Sequence, residues 1–350
     1  MHDPPTPACP IDIGPTDTVQ LSHGEGGRLM RQLIEHRIAP LLSLDRKGLH
    51  LDAAVLGRLD GETVVTTDSF VVSPLFFPGG DIGSLAVHGT INDLAMSGAT
   101  PKHLTLALIL EEGFSLPTLD RILYSIAAAA NHCGVSVVAG DTKVVPRGAA
   151  DGIFINTTGI GVLQGEPRMR PDRIEPGDQI IVTGPIGKHG LAVLSARENF
   201  EFEPAPESDN APLHQPAQDL RNQLGMDLHA MRDATRGGVA AVLHEWAEAS
   251  GQTMWIDAAK IPVAANTRAI AELLGIDPLF VANEGTFLVA VHPDRRETAL
   301  NCLRAHAVSA QCCDIGHVQP RDVSAVLIRR GIGVDQPLDE PSGAMLPRIC

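Results

Sequence analysis

The sequence predicts a two-domain protein of mixed α and β structure. Its 350 residues exceed one typical domain of about 100–200 residues. Short β-rich runs alternate with helical patterns in both halves, and the run QGEPRMRPDRIEPGD breaks the periodicity near 164–177 with Pro, Gly and charged residues. Apolar residues make up 44% of the chain and charged residues 20%, so each half can build a hydrophobic core.

The first half is expected to fold as a domain over 21–165, after a loose, proline-rich leader at 1–20. Leu29, Leu33 and Ile38 recur at helical spacing and predict a helix from about 27 to 42. The runs AAVLGRL and ETVVTTDSFVV, separated by Asp60-Gly61, predict a β-hairpin. Further helices are predicted at 82–98 and 117–133, and strands at 103–110, 135–139 and 153–163.

The second half is expected to form a domain over 175–333 that opens with the strand QIIVTG. Helices are predicted at 187–199, 217–224, 236–250 and 266–274, and strands at 253–257, 279–282, 286–292 and 312–318. Residues 334–350, VDQPLDEPSGAMLPRIC, are rich in Pro and acid and show no periodicity, which predicts a mobile tail.

Composition excludes several classes of protein. The formal net charge of −15 argues against nucleic-acid and anionic-membrane binding. No apolar run approaches the roughly 18 residues that span a bilayer, and the N-terminus lacks the basic start and apolar core of a signal peptide, so we expect a cytoplasmic protein. The six cysteines form no C-x-x-C pair, which argues against a zinc site or a disulfide framework.

A glycine cluster, SHGEGG, directly precedes the first predicted helix. Its backbone N–H groups and the helix N-terminus could bind a phosphate, which makes His23, Gly24, Gly26 and Gly27 candidate nucleotide contacts. A plain turn with a helix cap is the commoner explanation of a lone glycine loop.

Five aspartates lie in strand-end or loop contexts. Mg²⁺ prefers carboxylate oxygens together with substrate phosphates, so such a set could hold metal-bound ATP despite the acidic surface. Each acid alone is better explained as a cap or turn residue. The candidate metal ligands are Asp52, Asp68, Asp93, Asp141 and Asp233, and the last four, with the neighbouring Thr142 and Arg236, are also candidate nucleotide contacts.

Three further residues could carry chemistry. Lys143 is framed by valines beside Asp141, so it could clamp negative charge or donate a proton, or its ammonium could simply reach water. Glu284, between two apolar runs, could be a general base or a turn acid. Cys350, the last residue, is an unencumbered thiol, and since exposed free thiols are usually avoided, we favour a functional role.

From Leu21 to Cys350 the chain resembles the HypE family of hydrogenase maturation factors, the carbamoyl dehydratases of the PurM-like ATP-binding superfamily. GDTKVV combined with a terminal PRIC is the most specific likeness. The other matching segments are LSHGEGG, TTDSFVVSPLFFPGGDIG, GTINDLAMSGATP, ILEEG, RDATRGGVAAVLHEWA and FVANEG.

The resemblance implies an α+β fold of two domains, the first of aminoimidazole-ribonucleotide-synthetase type. It also implies a homodimer joined through the N-terminal sheets, with ATP near the interface. The implied reaction is ATP-dependent dehydration of a carboxamide on Cys350 to a thiocyanate. A HypF-type carbamoyltransferase would load the thiol, and a HypC–HypD complex would accept the cyanide. The resemblance also implies roles for two residues near the tail cysteine. Glu284 would remove the N–H protons of the carboxamide, and Lys143 would stabilise negative charge on its oxygen.

Some alternatives remain at this point. Glu25 stands in the glycine loop where the family often has Ser or Gly, and its carboxylate could repel phosphate or help to bind metal. A selenophosphate synthetase would use Cys9 but leaves PRIC unexplained, and thiamine-monophosphate kinase shares the aspartates but needs no tail. A non-catalytic carrier of the carbamoyl group would not need Lys143 and Glu284.

Overall fold

A computed structural model describes residues 17–44, 51–331, 333–343, 346 and 348–350. Most of the leader, including Cys9, lies outside this part of the chain. A 3₁₀ turn at Leu21–Gly24 precedes α1 (Arg28–Leu33), which passes through a π-helical segment, Ile34–Ile38, into α2 (Ala39–Leu41). This continuous helical stretch confirms the helix predicted over 27–42.

A four-stranded sheet forms the centre of the first half. Its strands lie in the order β1-β6-β4-β5, and β4 and β5 are parallel while the other pairs are antiparallel. A short hairpin, β2 with β3, follows β1. The strands are β1 (Glu62–Phe70), β2 (Phe76–Phe77), β3 (Gly80–Asp81), β4 (Thr100–Glu111), β5 (Ser136–Val145) and β6 (Ile153–Leu163).

Two helices, α3 (Ile82–Met96) and α4 (Leu116–His132), cover the inner face of this sheet. Alternation along β4 buries Leu104, Leu106, Leu108 and Leu110 on that face. Helix α3 is buried almost all round because it also contacts the second half of the chain. Among the described residues no pair of helices covers the outer face of the sheet in this way, and that face exposes 60% of Val65 on β1 and 39% of Ile109 on β4.

The hairpin predicted around Asp60-Gly61 is wrong. Strand β1 pairs with β6 along its whole length, from Glu62 with Leu163 to Phe70 with Ile155. Residues 51–59 form no strand and are largely exposed. Asp60-Gly61 directly precedes β1 and is not the turn of a hairpin, because the pairing partner of β1 lies about 90 residues further along the chain, which local patterns do not reveal.

A seven-stranded sheet forms the second half, in the order β13-β12-β9-β11-β7-β10-β8. Helix α7 packs on one face and α6 with α9 on the other, so β7 and β10 are buried on both sides. The helices are α5 (Lys188–Arg197), α6 (His214–Leu224), α7 (Gly238–Ser250), α8 (Ala265–Leu274) and α9 (Arg296–Arg304). The strands are β7 (Gln179–Val182), β8 (Leu228–Asp233), β9 (Thr253–Asp257), β10 (Phe287–Val291), β11 (Cys313–Gln319), β12 (Val326–Arg330) and β13 (Val334–Pro337).

Several elements of this half differ from the sequence predictions. The strand predicted at 279–282 is wrong, because Pro278–Phe280 forms a 3₁₀ turn. Strand β8 and helix α9 were not predicted, nor was β12 with its partner β13. Strand β13 belongs to the stretch expected to be tail, and the last residues beyond it turn back to the N-terminal core, where Ile349 is buried. No helix in the described ranges is long and apolar enough to cross a bilayer.

Candidate functional site

Three aspartates from different elements meet between the two halves: Asp68 on β1, Asp93 on α3 and Asp233 at the end of β8. Thr66 donates a hydrogen bond of 2.8 Å from Oγ1 to Oδ2 of Asp93. Burial, with the charge of Asp93, raises the pKa of Asp68 to about 6 and that of Asp233 to about 7. The carboxylates therefore repel one another in a partly water-free setting, which a bound cation would relieve.

Glu284 lies beside these aspartates in the connection that enters β10. Asp209 fixes this connection, because its Oδ1 accepts from the backbone N–H of Glu284 at 3.1 Å and its Oδ2 from that of Gly285 at 3.1 Å. A Cβ on Gly285 would lie 1.8 Å from the carbonyl oxygen of Asp209, so only glycine fits there. Burial, followed by the charges of Asp233 and Asp209, raises the pKa of Glu284 well above its usual range.

The chain end reaches this acidic cluster. Cys350 lines a cavity of about 480 Å³ together with Ser69, Val71 and Arg236. Burial, and next the charge of Glu284, raises the pKa of the Cys350 thiol to about 12, while the Arg236 guanidinium opposes the shift. The Cys350 thiol therefore lies within the electrostatic influence of Glu284, Asp68 and Arg236.

A second group of candidate residues surrounds β5. A Cβ on Gly24 would lie 2.8 Å from the backbone nitrogen of Val144. The glycine loop therefore approaches β5 so closely that a residue with a Cβ would not fit at this position. In the same loop, Nδ1 of His23 accepts a 3.0 Å bond from the backbone N–H of Gln20, which leaves Nε2 as the protonated nitrogen of the neutral ring. Gly26 and Gly27 are exposed at the start of α1.

A cavity of about 520 Å³ opens beside this loop. Its lining is mostly apolar and includes three predicted site residues, Asp52, Asp141 and Thr142. The ammonium of Lys143 lies 2.6 Å from Oδ1 of Asp141 and lowers the pKa of that carboxyl. Both side chains stand on the open outer face of the sheet, where that of Lys143 is 60% exposed.

Within one chain the predicted site residues thus fall into two groups. Strand β5 lies three strands from β1, which is about 14 Å at ordinary strand spacing. The expectation that Lys143 lies near Cys350 is therefore wrong for a single chain, because Lys143 pairs with Asp141 on the far edge. Asp52 and Asp141 are likewise apart from Asp68, Asp93 and Asp233, so the five aspartates do not form one ligand set.

Two family models match the chain. The N-terminal domain of AIR synthase related protein matches residues 50–163, and its C-terminal domain matches residues 175–329. Carbamoyl dehydratase HypE of Rhizobium leguminosarum bv. viciae is 46% identical over 332 residues, which cover 95% of this chain and 95% of that protein. The chain belongs to the HypE family.

Solved structures of HypE proteins share the fold of the whole chain. A crystal structure of HypE in complex with ATP superposes with a TM-score of 0.90 at 41% identity, covering 95% of this chain and 99% of that one. A HypE–HypF complex contains a chain with a TM-score of 0.78 at 42% identity, covering 88% of this chain and 99% of that one. The PurM-like α+β fold expected from the sequence is confirmed.

Several residues that build this HypE-family site carry no sequence signal. Asp209 lies in a polar stretch without motif or periodicity, yet it fixes the backbone of Glu284. On α3, Asn92 is buried, accepts from the backbone N–H of Leu213 at 2.8 Å and donates to the carbonyl of Ala211 at 3.1 Å. These contacts join segments 75 to 121 residues apart, so only the folded chain reveals them.

Proposed function

We propose that this chain uses ATP to dehydrate a carboxamide on the thiol of Cys350 to a thiocyanate. The observation that carries the proposal is the position of the chain end, whose sulfur lies beside Glu284 in the cavity between the two halves. The family relationship supports the same reaction, since relatives with 40–46% identity are named carbamoyl dehydratases.

The reaction needs ATP because the carboxamide oxygen is a poor leaving group. That oxygen attacks the γ-phosphoryl group, the bond to the bridging oxygen of ADP breaks, and one N–H proton is lost. The C–O bond of the resulting imino-phosphate then breaks, phosphate leaves, and loss of the second N–H proton gives the C≡N bond. Overall, Cys350–S–CO–NH₂ and ATP give Cys350–S–C≡N, ADP and phosphate.

Glu284 is the proposed base for these protons. The backbone of Glu284 is held by the hydrogen bonds that Asp209 accepts from it and from Gly285, so the connection that carries this side chain is fixed before the substrate arrives. Arg236, on the same cavity, is positioned to balance negative charge on the phosphorylated oxygen. These roles use groups that already surround Cys350.

The described residues fit a Mg²⁺ ion that arrives with the nucleotide. No three His, Cys, Asp or Glu side chains in the described ranges form a ready metal site. A nucleotide-bound Mg²⁺ takes most of its ligands from phosphates and water, with one or two carboxylates from the protein. Asp68, Asp93 and Asp233 are the residues that would hold it, and its charge would offset the developing charge of phosphoryl transfer.

A homodimer would bring the two groups of site residues together. The outer face of the N-terminal sheet exposes the apolar side chains of Val65 and Ile109 beside the ion pair of Asp141 and Lys143, and burial of those apolar side chains would favour association. If two such faces pack together, Asp141 and Lys143 of one chain can approach the cavity of the other. Lys143 would then stabilise the oxygen of the carboxamide from across the interface.

The proposed partners follow from the same reaction. A HypF-type carbamoyltransferase would load Cys350, in keeping with the HypE–HypF complex solved for a relative. The cyanide would pass to a HypC–HypD complex, an inference that comes from the family resemblance alone. Each exchange needs a thiol that a second protein can reach, so the tail must leave the cavity.

The decisive experiment follows the group on Cys350. Protein carrying a carboxamide on Cys350, mixed with Mg²⁺ and ATP, should gain a nitrile-stretch infrared band and lose the mass of one water at that residue. ATP hydrolysis with an unchanged carboxamide would instead support the carrier alternative and overturn the dehydratase proposal.

Two variants test the assigned roles. Glu284→Gln keeps the shape of the side chain but removes the base, so dehydration should slow by about 10²–10⁴-fold while ATP still binds. Cys350→Ala should bind ATP normally and accept no carboxamide. Normal dehydration by Glu284→Gln would move the base elsewhere, and carbamoylation of Cys350→Ala would move the nucleophile.

A further inference from the structure

The last three residues dock on the chain through backbone hydrogen bonds. The backbone N–H of Val71 donates to the carbonyl of Cys350 at 3.0 Å, and that of Ser73 donates to the carbonyl of Arg348 at 3.3 Å. The two segments run antiparallel, so the tail extends the chain segment that follows β1. This pairing leaves the carbonyl of Ile349, between them, facing away from residues 71–73.

His189 binds that remaining carbonyl. This residue lies in the first turn of α5, is fully buried, and places its Nε2 2.6 Å from the carbonyl oxygen of Ile349. Its Nδ1 lies 2.8 Å from Oγ of Ser208, and Phe77 packs edge-on against the ring at 5.4 Å between centroids. The imidazole is therefore fixed on three sides and touches the residue next to Cys350.

These contacts define the tautomer of His189. A carbonyl oxygen can only accept, so Nε2 carries the proton, and Nδ1 of the neutral ring must accept from the Ser208 hydroxyl. Oγ of Ser208 in turn accepts from the backbone N–H of Asn210 at 3.0 Å. When the tail leaves, the buried Nε2–H of His189 loses its acceptor, the carbonyl oxygen of Ile349. All polar atoms of this series of hydrogen bonds therefore have partners only while Ile349 is docked.

Arg348 adds a second set of bonds that hold the docked tail. Its Nε donates to the carbonyl of Val71 at 3.0 Å, its Nη1 lies 2.8 Å from Oδ2 of Asp151, and its own carbonyl accepts from Arg197 at 2.6 Å. Its backbone φ of 52° is in the left-handed region that side chains other than glycine rarely adopt. The docked tail is thus strained at one residue and depends on the surrounding bonds.

We propose that His189, oriented by Ser208, is a positioning residue that latches the tail and sets the place of the Cys350 sulfur in the cavity. It acts through the backbone of Ile349 and touches no reacting atom. Its value for catalysis rests on the proposed function, in which Cys350 carries the substrate, but the latch itself is a property of the chain without ATP or carboxamide.

Two substitutions of His189 separate its two hydrogen bonds. Asparagine places its amide near the position of Nδ1, so His189→Asn can keep the bond from Ser208 but loses the one to Ile349. Glutamine reaches about as far as Nε2, so His189→Gln can keep the bond to Ile349. The measurement is the rate at which iodoacetamide labels Cys350 in the folded full-length chain, followed by peptide mass spectrometry.

A latch predicts that His189→Asn labels Cys350 about five- to tenfold faster than the unmodified chain, the effect of losing one internal hydrogen bond, while His189→Gln stays within about twofold. Buried Cys133 and Cys312 are internal controls, and their labelling should not change. Ser208→Ala removes the hydroxyl that orients His189 and should accelerate labelling of Cys350 about two- to threefold. This variant replaces His189→Asn in the experiment if His189→Asn does not fold.

Two results would overturn the latch: unchanged labelling of Cys350 in His189→Asn, or a parallel rise at Cys133 and Cys312, which would mean general loosening. The labelling uses neither ATP nor a carboxamide. If no nitrile forms but the labelling pattern is observed, the proposed function is refuted and the latch is supported. If a nitrile forms but the labelling pattern is absent, the latch is refuted and the proposed function is supported.

Discussion

His88 on α3 links the protonation of one side chain to the stability of the fold. Its Nδ1 lies 3.0 Å from Oδ1 of Asn210, and burial lowers its pKa to about 4 from an ordinary value of 6.5. Between these pH values the unfolded chain binds the proton and the folded chain does not, so stability falls as the pH is lowered. We expect a loss of about 2 kcal/mol from this residue between pH 8 and pH 5.

Urea unfolding at the two pH values measures this loss, and His88→Gln is the matched control. Glutamine cannot titrate in this range but can still donate to Asn210, so the variant should lose about 2 kcal/mol less than the unmodified chain on acidification. The comparison is needed because other groups also respond to acidification, such as the half-buried His214, whose pKa is lowered from its ordinary value of 6.5 by burial. Equal losses in both proteins would show that His88 does not make this contribution.

Sequence reasoning reached the single residues that carry distinctive chemistry and missed those that only position them. Cys350 is distinctive as a terminal thiol, whereas the pattern around Glu284 leaves a general base and a turn acid open, and only the family resemblance favours the base. Asp209 and His189 did not stand out, since polar residues in loops and at helix starts are common. Their importance comes from hydrogen bonds to distant backbone segments, two for Asp209 and one for His189, and such bonds leave no local pattern.

At the scale of elements, the connection entering β10 depends on Gly285. Because a Cβ there would overlap the carbonyl oxygen of Asp209, Gly285→Ala must displace the backbone that carries Glu284. We expect a destabilisation of about 1–3 kcal/mol, as for other overpacked sites, together with slower dehydration. Gly331→Ala is the control, since a Cβ at Gly331 meets nothing within 4 Å, and it should unfold like the unmodified chain. Similar denaturation curves for both variants would contradict this account.

Element prediction succeeded where periodicity was strong and failed where pairing was decided at a distance. Helices α3 and α4 match their predicted ranges to within two residues, because each begins at a defined side-chain cap, Asp81 and Ser115. Strand β8, LHAMRD, has no β-branched residue and was missed, although it is buried by its partner β10. Strand β13 is exposed at all four residues and pairs with β12 at the edge of the sheet.

At the scale of the whole molecule, the sequence could not show that the candidate residues divide between two edges of one sheet. Lys143 and Asp141 follow Asp68 and Asp93 in the chain, and the motifs alone suggested one site. The strand order, with β5 far from β1, separates them. In the proposed dimer the groups would meet again across the interface, a relation that depends on symmetry rather than on the order of residues.

Mixing two inactive variants tests this arrangement. Lys143→Ala and Glu284→Gln each remove one side chain that the reaction is proposed to need. In the proposed dimer, Lys143 of one chain and Glu284 of the other serve the same site. After random exchange of subunits at equal amounts, half of the dimers are mixed, and each contains one intact site and one that lacks both groups. Dehydration should therefore recover to about one quarter of the unmodified rate.

The outer sheet face supplies the control for this recovery. Ile109→Glu places a charge on the proposed interface and should give a monomer in light scattering, with no recovery when it is added to both variants. Val323→Glu, at a residue that is 98% exposed in the second half, should leave the dimer and the recovery unchanged. If mixing restores nothing while the dimers exchange freely, Lys143 and Glu284 do not serve one site across the interface, and the proposed role of Lys143 at the cavity of the other chain is refuted.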